Sequence, residues 1–194
     1  MALKKTLTIA GSDTSAGAGM QADLKTFQEL GTYGIVALTS IVTMDKKSWS
    51  HDVTPIPFDV FEKQLETAIS IGPDAVKTGM LGTQEIIKCA GDAYVESGAD
   101  YFVVDPVMVC KGENEVLNPG NTDAMIEYLL PKATVVTPNL FEAGQLANLG
   151  TLKSIEDMKK AAEVIHEQGA KHVIIKGGKA VSYTHLRAHE TGRN

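Results

Sequence analysis

Asn139 and Glu142 stand three residues apart in "TPNLFEAGQL", where an apolar run gives way to a helical pattern. That spacing puts both side chains on one face of a helix. An amide and a carboxylate at the positive end of a helix can together hold a hydrated Mg²⁺ and a nucleotide phosphate. The same two residues also make a sound helix cap, Asn139 as N-cap and Glu142 at the third position, so both uses stay open. Lys176 closes the run "HVIIK" and is followed by two glycines, an arrangement suited to a phosphate contact or simply to a turn. Asp105 closes "YFVVD" ahead of Pro106, which forces an extended turn; a carboxylate there suits Mg²⁺, a phosphate site or a turn cap. Cys110 and Lys111 follow in the same loop, and a neighbouring lysine can lower a thiol pKa. After "TLTIA" come Gly11, Ser12 and Asp13, small groups able to hold a hydroxyl or a ring nitrogen. Lys77 lies in the otherwise apolar run "DAVKT", where a buried ammonium needs a partner; a structural ion pair and a functional role weigh equally there.

One competing signal is "GAGMQA" at 17–22, which matches the glycine fingerprint of dinucleotide-binding folds, with Asp45 ending a later apolar run as the ribose-binding acid. The fingerprint belongs directly off a strand, whereas several residues intervene between "TLTIA" and Gly17. No G-x-x-x-x-G-K-[ST] occurs, which excludes a P-loop enzyme.

These residues need a frame. Apolar runs at 6–10, 35–42, 74–78, 101–105, 133–137 and 172–176 alternate with amphipathic stretches. Most are rich in Val and Ile and apolar on both faces, as buried parallel strands are. In "FDVFEKQLETAISIG", Phe61, Leu65, Ala68 and Ile69 recur at helical spacing, Asp59 and Glu62 read as a capping box, and Gly72 as a stop. In "SIEDMKKAAEVIHEQG", Ser154 reads as N-cap, Ile155, Met158, Ala162 and Ile165 as the buried stripe, and Gly169 as the end. Six strands separated by helices predict right-handed βαβ units in a three-layer α/β/α sandwich. Ligands in such sheets bind outside the carboxyl ends of the strands, where the residues above lie. A net charge of −6 leaves no general footprint for nucleic acid or an anionic membrane. No apolar run is long enough to span a bilayer, and the N-terminus does not read as a signal peptide. Two cysteines, Cys89 and Cys110, match no zinc spacing and cannot build a disulfide framework, so the cytoplasm is the expected compartment.

Taken in order, "TIAGSD", "SAGAGMQADLKTF", "VKTGML", "VDPVMV", "TPNL" and "IIKGG" resemble the hydroxymethylpyrimidine kinase and pyridoxal kinase branch of the ribokinase superfamily, from residue 3 to about residue 180. The resemblance implies a ribokinase-like α/β/α fold with a mostly parallel sheet. It implies ATP- and Mg²⁺-dependent phosphorylation of a hydroxymethyl group on an aromatic nitrogen heterocycle, commonly by a homodimer. On this sequence Asn139 and Glu142 look like the Mg²⁺–ATP motif, Glu142 with Asp105 as metal neighbours, and Lys176 as the nucleotide phosphate contact. Asp105 and Lys111 look like phosphate and metal neighbours, and Gly11, Ser12 and Asp13 like the substrate wall, Asp13 anchoring the ring. Pyrimidine kinases of this branch read "VTAQNT" where this chain has "IVTMDKKSW", so Met44 replaces a Gln. A thioether cannot pair with a pyrimidine amide edge but can pack on a pyridine ring. Cys110 could add to the aldehyde of pyridoxal as a hemithioacetal. Both features favour a pyridoxal or pyridoxine kinase of vitamin B6 salvage, with a hydroxymethylpyrimidine kinase of thiamine biosynthesis as the alternative. A Rossmann dinucleotide protein and a remnant that binds without turnover are rivals of another class.

The family's catalytic base is a Cys or Asp in a late glycine-rich segment that forms an anion hole, and no such segment follows Lys179. Residues 1–180 therefore read as an incomplete kinase domain lacking its C-terminal strands and anion-hole helix. Residues 181–194, "VSYTHLRAHETGRN", read as a non-native, disordered tail resembling translated adapter sequence. His185 and His189 lack a third ligand at metal-site spacing. The expectation is a chain of low stability and impaired turnover.

Overall fold

A computed structural model describes residues 3–108 and 120–177 and the strand at 186–189. Eight strands form one sheet: β1 (Lys5–Asp13), β2 (Tyr33–Met44), β3 (His51–Pro55), β4 (Ala75–Thr78), β5 (Tyr101–Val104), β6 (Val135–Val136), β7 (His172–Lys176) and β8 (Leu186–His189). Their spatial order is β3-β2-β1-β4-β5-β6-β7-β8. All six expected runs are strands, and from β2 through β1 to β7 they pair parallel. The chain moves outward from β1 to β2 and β3, then returns to β4 beside β1. The direction reverses between β1 and β4, and that is where an open α/β sheet forms its ligand crevice.

Helices α1 (Gly19–Glu29), α2 (Phe58–Ser70), α3 (Gln84–Ser97), α4 (Gly120–Tyr128), α5 (Leu140–Leu146) and α6 (Ile155–Glu167) fill the connections. Right-handed crossovers put α1 on one face of the sheet and α2 to α6 on the other, because only the α1 connection steps across the sheet from β1 toward β2, whereas the later ones step the other way. Neighbour contacts run from α2 to α3, α4, α5 and α6, as one layer requires. This layer packs on Leu7, Ile9, Val76, Phe102, Val104, Val136, Val173 and Ile175, all buried. Burying one such side chain contributes on the order of 1.5–3 kcal/mol.

The opposite face departs from the expectation that the strands are apolar and buried on both sides. Registered pairing aligns Thr8, Lys77, Val103 and Val135 on the α1 side. Thr8 is buried under α1, whereas Lys77, Val103 and Val135 are half-buried and Tyr101 is exposed. Helix α1 packs on β1 and β2, and no other described helix lies on that side of β4 to β7.

Two further local expectations change. Strand β3, which the sequence pattern did not disclose, pairs antiparallel with the end of β2. Its five residues alternate weakly and end in a proline that suits an edge. Asp59 is not the cap of α2; Pro57 is, with no side-chain cap bond, and Asp59 lies in the first turn. Ser154 caps α6 as expected, in a capping box with Asp157. Strand β8 lies within the stretch expected to be disordered and pairs antiparallel with β7; the rest of 181–194 is outside the described residues.

The partner that Lys77 requires is Asp23 of α1. Its Nζ lies 2.9 and 2.8 Å from the two carboxylate oxygens, and Thr8 Oγ1 donates to Asp23 Oδ2 at 2.6 Å. The structural reading of Lys77 therefore holds. Side-chain exposure of 21% for Lys77 and 16% for Asp23 leaves the pair mostly dry. Breaking a buried pair from one side costs more than removing both charges. We expect Asp23→Ala to lower stability by roughly 2–3 kcal/mol, and Asp23→Ala with Lys77→Met by less than the single change. Urea unfolding midpoints of the three chains check this, and a double variant weaker than the single one would contradict it.

Candidate active site

The carboxyl ends of β5, β6 and β7 converge on one polar cluster. Lys176 Nζ donates to Asp105 Oδ1 at 2.9 Å. Strand β6 runs between β5 and β7, so the ion pair arches over its end. Thr137 Oγ1, just past β6, donates to the same Asp105 oxygen at 3.4 Å. The backbone closes the cluster from beneath: Lys176 N donates to Pro138 O at 2.8 Å, and Asn139 bridges Lys176 in parallel register.

Asn139 and Glu142 realise the capping reading in full. Asn139 Oδ1 accepts from Glu142 N at 2.9 Å, and Glu142 Oε2 accepts from Asn139 N at 2.8 Å. The cap also buries the carboxylate, since Glu142 is only 3% exposed. Burial pushes its pKa from 4.5 up to about 7. The Asn139 N–H and the charge of Lys176 act downward, while the charge of Asp105 acts upward. One turn of helix therefore brings Glu142 into electrostatic reach of Lys176 and Asp105. The chemistry available is that of an anion-binding lysine beside two carboxylates. Among the described residues no group of three or more His, Cys, Asp or Glu side chains could hold a metal by itself. One or two carboxylates with phosphates and water completing the shell is a usual arrangement for Mg²⁺, and the hard oxygen donors of Asp105 and Glu142 fit it.

The second half of the site lies at the ends of β1 and β2. The β1–β2 register slips between Ala10 and Ser12, so Thr39 and Ser40 oppose Gly11 alone. Such a bulge re-aims side chains at a sheet edge. A Cβ on Gly11 would stand 2.7 Å from Ser40 Oγ. Gly19 starts α1 at φ +59°, where a Cβ would come within 2.4 Å of Gly11 O. Both glycines let the start of α1 press against the end of β1.

Asp13 faces the loop that follows it. Its carboxylate accepts from Ser15 N and Ser15 Oγ, each 2.8 Å from Oδ1, and from Ala18 N at 2.9 Å. Burial opposes its ionisation, but the bonds from Ser15, Ala18 and Gly17 outweigh it and hold the pKa below the usual carboxylate value. Asp13 thus fastens the loop and supplies the N-terminus of α1 with the side-chain acceptor that its own N-cap, Ala18, lacks. Gln21, absent from the sequence-based candidates, spans the wall: its Nε2 donates to Ser12 Oγ at 2.6 Å and its Oε1 accepts from Asp13 N at 3.0 Å. Met44 closes β2, half-buried, two residues beyond the Val42 that pairs with Asp13. Cys110 and Lys111 lie outside the described residues.

Asp45 does not serve as a ribose acid. Its Oδ1 accepts from Lys47 N, Ser48 N and Ser48 Oγ, which commits it to the turn between β2 and β3. A groove of about 540 Å³ between α2 and the start of β2, lined by Tyr33, Lys63, Gln64 and Ile71 among others, is at the opposite end of the strand from these residues. No described helix is long and apolar enough to cross a membrane.

The sheet, its helical layers and the polar cluster at the strand ends define a three-layer α/β/α sandwich of the ribokinase-like class. A family model described as phosphomethylpyrimidine kinase matches residues 13–191. The chain belongs to that family. A pyridoxine kinase of Bacillus subtilis is 55% identical over 180 residues, which cover 92% of this chain and 66% of the relative. The structure of the pyridoxal kinase from Staphylococcus aureus in complex with pyridoxal superposes with a TM-score of 0.93 at 75% identity, covering 98% of this chain and 69% of that one. The same enzyme in complex with AMP-PCP and pyridoxal gives a TM-score of 0.92 at 73% identity, with the same coverages of 98% and 69%. The chain thus spans about two thirds of the length of these relatives.

Glu142 gives the site a pH signature. Unfolded, its carboxyl ionises near 4.5; folded, near 7. Between those values the folded chain holds a proton that the unfolded chain has lost, so stability falls as pH rises. The contribution is fully present below about 4.5 and is lost as pH climbs through about 7. We expect Glu142→Gln to flatten stability over this window in chemical denaturation at stepped pH. An unchanged slope would contradict the assignment.

Proposed function

We propose that this chain carries the nucleotide and substrate walls of an ATP-dependent kinase that phosphorylates the 5′-hydroxymethyl group of pyridoxal, pyridoxine or pyridoxamine. The observation that carries the reading is the Lys176–Asp105 ion pair with Glu142 beside it. It stands on the strand edge that also bears Gly11, Ser12 and Asp13. About 10 Å of sheet separates β1 from β5 at ordinary strand spacing, a short span between a bound heterocycle and a terminal phosphate.

In this reading Lys176 leaves Asp105 in part to bind a phosphate oxygen, a charge-assisted contact. The backbone bridge to Asn139 keeps the lysine aimed along the strand edge. Glu142 and Asp105 are the residues that would hold Mg²⁺, which when bound neutralises phosphate charge. A divalent cation would also favour the ionised form of Glu142. Transfer is in line and depends on positioning and charge stabilisation more than on covalent chemistry. The Gly11–Asp13 wall orients the acceptor, and Met44 packs on its ring where a glutamine would have paired with a pyrimidine. That replacement, with the relatives that bind pyridoxal, favours B6 vitamers over hydroxymethylpyrimidine. Lys111 supports the phosphates, and Cys110 engages the pyridoxal aldehyde. A homodimer and a cytoplasmic setting belong to the same reading.

Thermal-shift titration tests it. Pyridoxal and ATP with Mg²⁺ should each raise the melting temperature, hydroxymethylpyrimidine should do so less, and NAD should not. Lys176→Met should weaken ATP by about tenfold or more, as loss of a charge-assisted bond implies, and leave pyridoxal affinity unchanged. Protection by NAD in place of ATP would overturn the kinase reading. Cys110→Ser should lower affinity for pyridoxal and not for pyridoxine, which has no aldehyde; equal effects on both would remove the thiol from the site.

A further inference from the structure

Gln21 holds two neighbours of the β1 wall with one amide. Its Oε1 accepts from Asp13 N at 3.0 Å and its Nε2 donates to Ser12 Oγ at 2.6 Å. The amide cannot be turned over. A backbone N–H only donates, so the atom facing Asp13 N must be the oxygen. The NH₂ then faces Ser12, and the Ser12 hydroxyl must accept. A hydroxyl that accepts from one side keeps its own proton for another direction. Among the described residues Ser12 has no further side-chain partner, and it is half-buried at the end of β1, where the strand order opens the crevice. Gln21 is itself anchored, because α1 is pinned by Gly19 against Gly11 and by Asp23 on Lys77.

We infer that Gln21 is a positioning residue that sets Ser12 as a hydrogen-bond donor, so that the wall takes a substrate heterocycle through an acceptor atom. An unprotonated ring nitrogen or a phenolate oxygen meets that demand; a ring N–H does not. The inference rests on the reading of this edge as the wall for a pyridoxal-type substrate.

Substitution by glutamate separates this role from mere support of the loop. Gln21→Glu keeps the shape and can still accept from Asp13 N. Its second oxygen can only accept, so Ser12 must turn its proton onto it and present lone pairs to the substrate. Gln21→Met removes both bonds and leaves Ser12 free to donate. Pyridoxal dissociation constants are measured by calorimetry for the unsubstituted chain, both variants, and each variant combined with Ser12→Ala, after circular dichroism has shown matching folds. Gln21→Glu should weaken pyridoxal by about tenfold, the scale of one reversed hydrogen bond, and by more than Gln21→Met. Once Ser12→Ala is present, Gln21→Glu should cost nothing further. A larger loss in Gln21→Met, no loss in either, or a glutamate effect that persists with Ser12→Ala would overturn the role of Gln21 while leaving the kinase reading intact. Absence of pyridoxal binding to the unsubstituted chain would overturn both.

Discussion

Much of the molecule depends on one half-buried charge, the ammonium of Lys77. It sits on a strand next to β1, at the centre of the sheet, where an unpaired cation is untenable. Asp23 answers it from α1 with both oxygens and takes a third bond from Thr8 on β1. Helix and two central strands are thereby fixed to one another about a single carboxylate. The direction of α1 follows, and with it the placing of its first turn against Gly11. The loop from Asp13 to Ala18 then has a set length to cover. It does so with Ala16 in a left-handed conformation and Asp13 bonding back to Ser15 and Ala18. An apolar pair at 23 and 77 could fill the same space, but it would lack the directional bonds that give the helix one register.

Charge is handled differently at the two ends of the site. Around β1, Asp13 accepts from N–H and hydroxyl donors, which hold its pKa below the usual carboxylate value. Around β5 to β7, Asp105 has one lysine and one long hydroxyl contact among the described residues, and Glu142 is driven toward its neutral form by burial. A buried acid whose ionisation is opposed stands there beside a lysine that pairs, among the described residues, with one carboxylate. On the proposed reading, that end is the one that takes the charged phosphates. The β1 end presents a neutral hydroxyl and amide, so its polar contacts are hydrogen bonds and not ion pairs.

The strands were legible because parallel strands concentrate Val and Ile in short runs, and the strand-end residues followed from topology alone. The capping role of Asn139 and Glu142 was legible too, but not that the cap would carry Glu142 beneath Lys176; that depends on a bridge between residues 139 and 176. Lys77 announced a need for a partner without naming it, since Asp23 is 54 positions away in sequence. Asp13 read as a carboxylate at a strand end, and only the structure shows the loop's N–H groups converging on it. Gln21 sat within the quoted motif and left no signal of its own, because an amide on a first helical turn is ordinary until its two partners are known. Strand β3 escaped because five weakly alternating residues after a polar turn carry little pattern.

The two faces of the sheet complete the physical picture. Five helices bury Phe102, Val104, Val136 and Val173 on one side, and every one of those side chains is at or below 2% exposure. On the other side the registered row of Val103 and Val135 is half-covered, and Tyr101 is exposed. The Val-rich composition of β5 and β6 is that of strands covered on both faces. A half-covered valine row contributes less hydrophobic stabilisation than its sequence could deliver, in proportion to the apolar area left in water. The central pair of strands avoids this, because α1 covers β1 and Asp23 closes over Lys77 on the neighbouring β4. Packing is therefore most complete where the β1 wall stands and thinner toward β5 and β6, so the wall around Ser12 rests on the better-supported part of the sheet, while the cluster around Asp105 draws its order from the α5 cap and the backbone bridge at Asn139.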